Sequence, residues 1–521
     1  MLTLREDVKS IKQIASGFLY KSLVEWAVTQ PGATYIVEAE TGRELTYAQT
    51  LAAVKELRQL LGAAPRCLVL AFPAGIANAV LWLSALSGGH QLVPQSSGAT
   101  DEEKAWVAKR YKPDMLFVER MEDAQGFGCP DAMSITRQMC ETLIEHASSC
   151  SPLDAVEGQV CLTTSGTTGE PKGVVLNERQ IAWTADHIRS SHQLSTQDRG
   201  LAVLPFFHVN APVVSLCASL LAGSTVVIAQ RFSRQLFWSW IERYQITWAS
   251  IVPTIVAILL ETERPAFLPG ALRFVRTGSA SLPAADLHAF EERFGIPVIE
   301  TYGLSEAASQ VVANLVPPGL RKPGSAGRPV GVALRVCYPR TDENGGELRD
   351  VVQGETGEIC IAGPGVIHAY QNNAGKEAFQ DGWFRTGDLG YLDEDGYLFI
   401  KGRLREVINR GGENIAPREV EEVLLSHPAV GEVPAVGRPD HIYGEQVVAY
   451  VTTKVAWSAE IAQELRLYAA QRLSPHKVPV DFIALDALPR NATGKIERRL
   501  LRAREQVRFT GRDGKTNVRA S

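Results

Sequence analysis

The chain has 521 residues, of which 45% are hydrophobic and 21% charged, and a formal net charge of −5. That length divides into several lobes, each able to bury a core of its own. The acidic balance argues against a nucleic-acid binder, which carries a basic excess. The eight cysteines include no CxxC pair and no His/Cys cluster of metal-ligand spacing, so reduced thiols in a cytoplasmic protein are expected. The N-terminal MLTLREDVKSIKQ is charged from residue 4 onward and lacks the apolar core of a signal peptide.

Two long uncharged stretches, 67–90 and 201–230, invite a membrane reading. Pro73, Gly75 and Asn78 break the first, and Pro205, His208, Asn210 and Pro212 break the second. Both are therefore read as buried strand–turn–helix passages rather than spans. In chain order, RCLVLAFP reads as a buried strand and IANAVLWLSALSGG as a helix ending in glycine. Thr100 and Glu103 form a capping box before AWVAKRY. STVVIA is a strand, RQLFWSWIERYQ a helix, and ITWASIVP a strand again. This alternation predicts α/β architecture with mostly parallel sheets.

From about Gly345 the texture changes to short β-like runs between turns, as in ETGEICIAG, GWFRTGD and GYLDEDGYLFIKGR. A small antiparallel or barrel-like section is expected there. Beyond Arg405, helical and strand patterns alternate as in a small α+β domain. The expected division is a large domain over 1–402 and a small mobile domain over 403–521, with a polar, disordered tail over 505–521.

The strongest local signal is TSGTTGEPKGV, Thr164 to Val174. Glycines let backbone N–H groups converge, hydroxyls add donors, and Lys172 adds positive charge, which together suit a polyphosphate. No GK[ST] follows, so it is not a Walker A loop. By composition alone the string could equally be a surface loop. Further along stand LPFFHVNAP with His208, RTGSASLP at 276–283, ETYGLSEAA at 300–308 and FRTGDLG with Asp388. KGRLREVINRGGENIAPREVE follows at 401–421, and LPRNATGKIERR with Lys495 closes the series.

The first string resembles the phosphate-binding signature of the adenylate-forming superfamily, which comprises acyl-CoA synthetases, luciferases and adenylation domains. The other strings match that superfamily's motif series in order from about residue 160 to 499. The look is closest to AMP-forming acyl-CoA synthetases. The resemblance implies that ATP activates a carboxylic acid to acyl-AMP and that a thiol, coenzyme A above all, then displaces AMP. It implies that Thr164, Ser165, Gly166, Thr167, Thr168, Gly169 and Lys172 grip the phosphates, with Thr168 and Glu306 at Mg²⁺. Gly278, Ser279, Ala280, Glu300, Thr301, Tyr302 and Gly303 are placed beside the adenine, and Ser305 at the α-phosphate. Asp388 is placed at the ribose, Arg403 at the ribose or phosphate, and Lys495 at the developing charge of adenylation. Gly411 and Gly412 are given to the pantetheine arm, and Arg405 to the hinge, where the family commonly has Asp or Lys. His208, Asn210, Val214, Gly278, Tyr302 and Ser309 are candidates for the acyl pocket, and His208 joins Lys172, Glu306 and Lys495 as a candidate catalytic residue.

No acidic residue lies between Pro205 and Leu216, where amino-acid-activating relatives tend to carry an aspartate. A buried ammonium without a partner is costly, so the acid is expected to lack an α-ammonium group. Pro212 stands where long-chain relatives have a gating tryptophan, which argues against such a tunnel. Two other readings stay open. One is a stand-alone adenylation enzyme that loads the phosphopantetheine of an acyl carrier protein. The other is an inactive nucleotide-binding relative.

Overall fold

The computed structural model describes residues 15–148, 153–164, 172–265, 270–340, 348–490 and 496–516. The chain forms two compact units, residues 1–334 with 361–384, and residues 335–360 with 385–521. The contact-based division thus falls at three chain crossings, and position 402/403 lies inside the second unit. Compactness and the place of a hinge are separate properties.

The first unit holds two sheets. In the six-stranded sheet, Met133–Thr136, Met115–Val118, Cys67–Ala71, Gln91–Pro94 and Gln159–Thr164 run parallel in that order. Lys172–Asn177 closes its edge antiparallel to Gln159–Thr164. The nine-stranded sheet has a parallel centre of Val298–Leu304, Phe274–Thr277, Trp248–Ile251, Arg199–Ala202, Thr225–Ile228 and Thr34–Glu38. Its edges are antiparallel, with Ser309–Ala313 and Arg328–Pro329 on one side and Glu44–Thr46 on the other.

The helix Ile76–Ser87 is buried at all twelve residues and packs on strands of both sheets. A helix covered all round reads as uniformly apolar, which is why this segment looked like a span. The second uncharged stretch resolves into a strand, a π-helical segment Ala211–Cys217, a short helix Ala218–Ala222 and another strand. Among the described residues no helix is long and apolar enough to cross a membrane. The box at Thr100 forms as read, with Thr100 Oγ1 accepting from Glu103 N at 3.2 Å and Glu103 Oε2 from Thr100 N at 2.8 Å.

In the second unit Asp388 to Leu392 pair antiparallel with Leu398–Arg403. A further sheet is centred on Gly444–Thr453, which pairs with Ile408–Arg410, Val430–Glu432, Ala435–Asp440 and Asp481–Ala484. Val420 and Leu424 of helix Pro417–Leu425 and Leu465 of helix Ala459–Ala470 join Ile408, Val447 and Val451 in one apolar cluster. This is the expected α+β pattern. Helix Arg498–Thr516 covers residues 505–516 of the expected tail, and 517–521 lie outside the described residues. Glu505, fully buried, accepts from Tyr450 Oη at 2.5 Å and pairs with Arg438. A carboxylate paired inside the fold fixes a segment whose composition reads as polar tail.

Glu178 pins the start of the first unit. It is 1% exposed, and its carboxylate accepts from Leu19 N at 2.7 Å and Gly17 N at 3.0 Å. Those donors open the helix Phe18–Thr29, whose N-cap residue Gly17 offers no side-chain acceptor. Glu178→Ala is expected to lower the unfolding free energy by about 2–3 kcal/mol, as two buried donors lose a charged acceptor. An unchanged urea midpoint would remove this clamp from the account.

Candidate active site

In the first unit two of the phosphate-loop candidates, Thr164 and Lys172, sit at the edge of the six-stranded sheet. Gln159–Thr164 and Lys172–Asn177 pair down to Thr164 opposite Lys172, which closes the loop between them. Ser165, Gly166, Thr167, Thr168 and Gly169 lie outside the described residues, as does Lys495 in the second unit. Lys172 Nζ lies 5.0 Å over the ring of Tyr370 and 3.9 Å from Glu377 Oε1.

The segment ETYGLSEAA forms a strand turning back on itself. Val298–Leu304 pairs antiparallel with Ser309–Ala313 through a register shift at Tyr302/Gly303. A Cβ on Gly303 would stand 1.8 Å from the Ser309 carbonyl oxygen, so only glycine lets the two backbones come this close. The turn is the 3₁₀ segment Ser305–Ala307, followed by Ala308 and Ser309 at φ of 54° and 112°. Left-handed backbone at such residues costs free energy and clusters at functional sites. The turn presents Glu306, whose Oε1 accepts from the Tyr370 hydroxyl at 2.7 Å. Tyr370 thereby touches both Glu306 and Lys172, which lie 134 positions apart in sequence.

The other candidates of this unit fall into two kinds. Tyr302 and Val214 are buried, Val214 within the π-helical segment. Such segments frequently mark functional sites. His208 is half-buried, with its ring 4.3 Å from that of Phe207. Ser279 Oγ accepts from Asn210 Nδ2 at 3.4 Å. Glu300 and Thr301 are engaged within the protein. Glu300 Oε2 accepts from Gly324 N at 3.0 Å. Thr301 Oγ1 donates to the Thr277 carbonyl at 2.7 Å and accepts from Arg276 Nη2 at 2.8 Å. Burial pushes the pKa of Arg276 down to about 9, and among the described residues the guanidinium bonds only neutral groups.

The second unit carries Asp388, Arg403, Arg405, Gly411 and Gly412. Asp388 follows a turn at Gly387 and is 7% exposed, with Oδ1 3.1 Å from Arg403 Nε. The turn is fixed by Glu358, which accepts from Gly387 N at 3.2 Å and pairs with Arg385 at 2.5 Å. Arg405 is exposed, and its carbonyl accepts from Arg502 Nη1 of the last helix at 2.8 Å. Gly411 and Gly412, at φ of 63° and 91°, form the two-residue turn between Ile408–Arg410 and Glu413–Ile415. Two positive φ values are what a type I′ hairpin requires. Among the described residues nothing beyond its chain neighbours lies within 4 Å of where a Gly412 Cβ would be.

Sequence reading missed Tyr370 and Arg276. No motif marked Tyr370, since its value lies in a contact between distant segments. Arg276 stood in view as the one charge in the apolar strand FVRT, a signal that could have found it.

A family model described as AMP-binding enzyme matches residues 23–371, and one described as AMP-binding enzyme C-terminal domain matches 419–495. The chain is 43% identical over 357 residues to the sulfoacetate–CoA ligase of Cupriavidus necator, covering 68% of each chain. It is 35% identical over 459 residues to the oxalate–CoA ligase of Arabidopsis thaliana, covering 83% of this chain and 87% of that one. Among solved structures it is similar to the o-succinylbenzoate coenzyme A synthetase of Bacillus subtilis in complex with ATP and magnesium ion. That match has a TM-score of 0.80 and 30% identity, and covers 93% of this chain and 99% of the other.

The Thr301 hydroxyl offers a direct check of the geometry around Arg276. Thr301→Val keeps the shape but removes one acceptor and one donor from buried partners. A loss of about 1–3 kcal/mol in urea unfolding is expected. Unchanged stability would show that these two bonds are not made.

Proposed function

We propose, from the premise that this chain belongs to the AMP-binding enzyme family and is an acid–thiol ligase using ATP and CoA, that its two half-reactions draw on separate residues. The observation that carries this reading is the meeting of Glu306 and Lys172 at Tyr370. It joins two of the three charged groups assigned to the phosphates, from motifs far apart in sequence.

In the first half-reaction a carboxylate oxygen of the acid attacks the α-phosphorus of ATP, pyrophosphate leaves, and an acyl-AMP forms. Such a transfer needs positioning and charge neutralisation more than covalent help. The loop from Thr164 to Gly169, with Lys172, grips the departing pyrophosphate. Tyr302 packs on the adenine, and Ser305 and Lys495 serve the α-phosphate. Asp388 accepts from the ribose hydroxyls, with Arg403 beside it. Glu306 would hold Mg²⁺, with Thr168 as a second oxygen donor. Tyr370 orients the Glu306 carboxylate and leaves most of its lone pairs free. One carboxylate beside substrate phosphates suffices for this ion, which neutralises charge on the phosphate oxygens when bound.

In the second half-reaction the CoA sulfur attacks the acyl carbonyl carbon and AMP leaves. No protein nucleophile is needed, since the anhydride is already activated. Rotation about Arg405 withdraws Lys495 and brings in Gly411 and Gly412, whose open side lets the pantetheine arm pass. A chain drawing on ATP and CoA fits a cytoplasmic location. The acid lacks an α-ammonium group, as the uncharged 205–216 segment suggests.

Lys495→Ala and Gly412→Leu, measured in both partial reactions, test this division. Removing Lys495 is expected to slow acid-dependent pyrophosphate exchange about 10²–10³-fold while thioester formation from supplied acyl-AMP persists. Gly412→Leu should do the reverse. Equal loss of both steps in either folded variant would end the alternation reading. Thioester formation only with a holo carrier protein, and none with free CoA, would replace CoA as the acceptor.

A further inference from the structure

Two arginines are buried among the described residues, Arg276 and Arg385. Arg385 faces Glu358 at 2.5 Å with both side chains about 5% exposed or less. Arg438 pairs with the fully buried Glu505 and with Asp481. Arg276 is 2% exposed, and among the described residues no carboxylate lies within 4.0 Å of it.

Its guanidinium is held in place all the same. Nε donates to Gln310 Oε1 at 3.3 Å, and Nη1 to Ser250 Oγ at 3.1 Å and Asn210 Oδ1 at 3.3 Å. Nη2 donates to Thr301 Oγ1 at 2.8 Å. Four neutral acceptors from four elements fix the plane of the group without cancelling its charge. Even with its pKa pushed down to about 9, the group stays protonated at neutral pH, so the positive field remains. The neighbouring His192, fully buried, is held in its neutral form by burial and then by the charge of Arg276, so it adds no compensation.

The place of this charge gives it a use. Asn210 and Gly278 were marked as acyl-pocket residues from sequence. Asn210 bonds the guanidinium, and a Cβ on Gly278 would stand 3.5 Å from Nη2 and 3.7 Å from Nη1. The missing side chain lets that loop lie beside the cation, with the Thr301 hydroxyl 2.9 Å from the same Cβ position. A rigid cation that is already desolvated needs no reorganisation when an anion arrives.

We propose that Arg276 reads a second anionic group on the acid, so that the substrates are small acids with a carboxylate or sulfonate besides the carboxylate that is adenylated. This rests on the ligase reading above and narrows its substrate class. Four of its five N–H groups are already donated, so the anion meets the remaining N–H of Nη2 and the charge of the fixed group. An uncharged tail at the same place leaves the cation buried without an anion, which is the source of the selectivity.

The test compares succinate, glutarate and 3-sulfopropionate with monomethyl succinate, butyrate, valerate and β-alanine in acid-dependent pyrophosphate release. The wild-type enzyme should prefer the best dianionic acid over its uncharged-tail counterpart by roughly 10²-fold or more in kcat/KM. In Arg276→Met that ratio should collapse roughly 10²–10³-fold, with Arg276→Lys in between. The dianionic acid should also raise the Tm of the wild type with AMP present, and not that of Arg276→Met. A wild type that favours uncharged-tail acids overturns the proposal while leaving the ligase reading intact. So does an unchanged ratio in folded Arg276→Met. Release with no acid of either kind overturns both. The wild-type ratio decides even where Arg276→Met does not fold.

Discussion

The close approach of two backbones at Gly303 is the constraint on which the candidate site depends. Val298–Leu304 leaves the parallel centre of its sheet and folds back within a few residues. With no side chain at Gly303, the returning strand passes over that position, and the turn takes left-handed backbone at Ala308 and Ser309. Glu306 is thereby thrown out at the end of the strand, within reach of the Tyr370 hydroxyl. Ligand sites in open α/β sheets lie beyond the carboxyl ends of the strands, and this turn follows that rule. Any residue other than glycine at 303 would have to push Ser309 aside and move the carboxylate with it.

Charge placement follows one logic in both units. Where a carboxylate or guanidinium is buried for the sake of the fold, it has an opposite charge or several N–H donors beside it, as at Glu178, Glu358 and Glu505. Glu358 shows how such a pair supports chemistry, because it also fixes the turn before Asp388. Where a charge lacks that compensation, as at Arg276, it stands among residues marked for substrate. Of the two buried arginines among the described residues, Arg385 is neutralised by Glu358 and Arg276 is left for what the protein binds.

Much of this was legible in the amino-acid order, for reasons specific to each element. The strands around Val69, Val227 and Ala249 are short apolar runs set off by turns, and the parallel sheets follow from the helices between them. The helix around Trp82 was legible because glycine ends it. The Glu306 turn and the Gly411–Gly412 hairpin fall in strings that carry backbone demands few residues meet. The π-helical turn at 211–217 was not legible, since one extra residue per turn leaves no mark on an all-apolar run. The ordered last helix was missed because its anchor, Glu505 against Tyr450, joins residues 55 apart. Tyr370 was missed for the same reason, and Arg276 because its meaning lies in the carboxylate it lacks.

The central claim is that the acid attacks the α-phosphorus of ATP, so that one carboxylate oxygen ends on AMP. The most direct measurement uses an accepted acid labelled with ¹⁸O in its carboxylate, turned over with ATP and CoA, with the products read by mass spectrometry. The account predicts one ¹⁸O in AMP for each thioester formed and none in pyrophosphate. Label in inorganic phosphate with ADP as coproduct would place the attack at the γ-phosphorus and contradict the account.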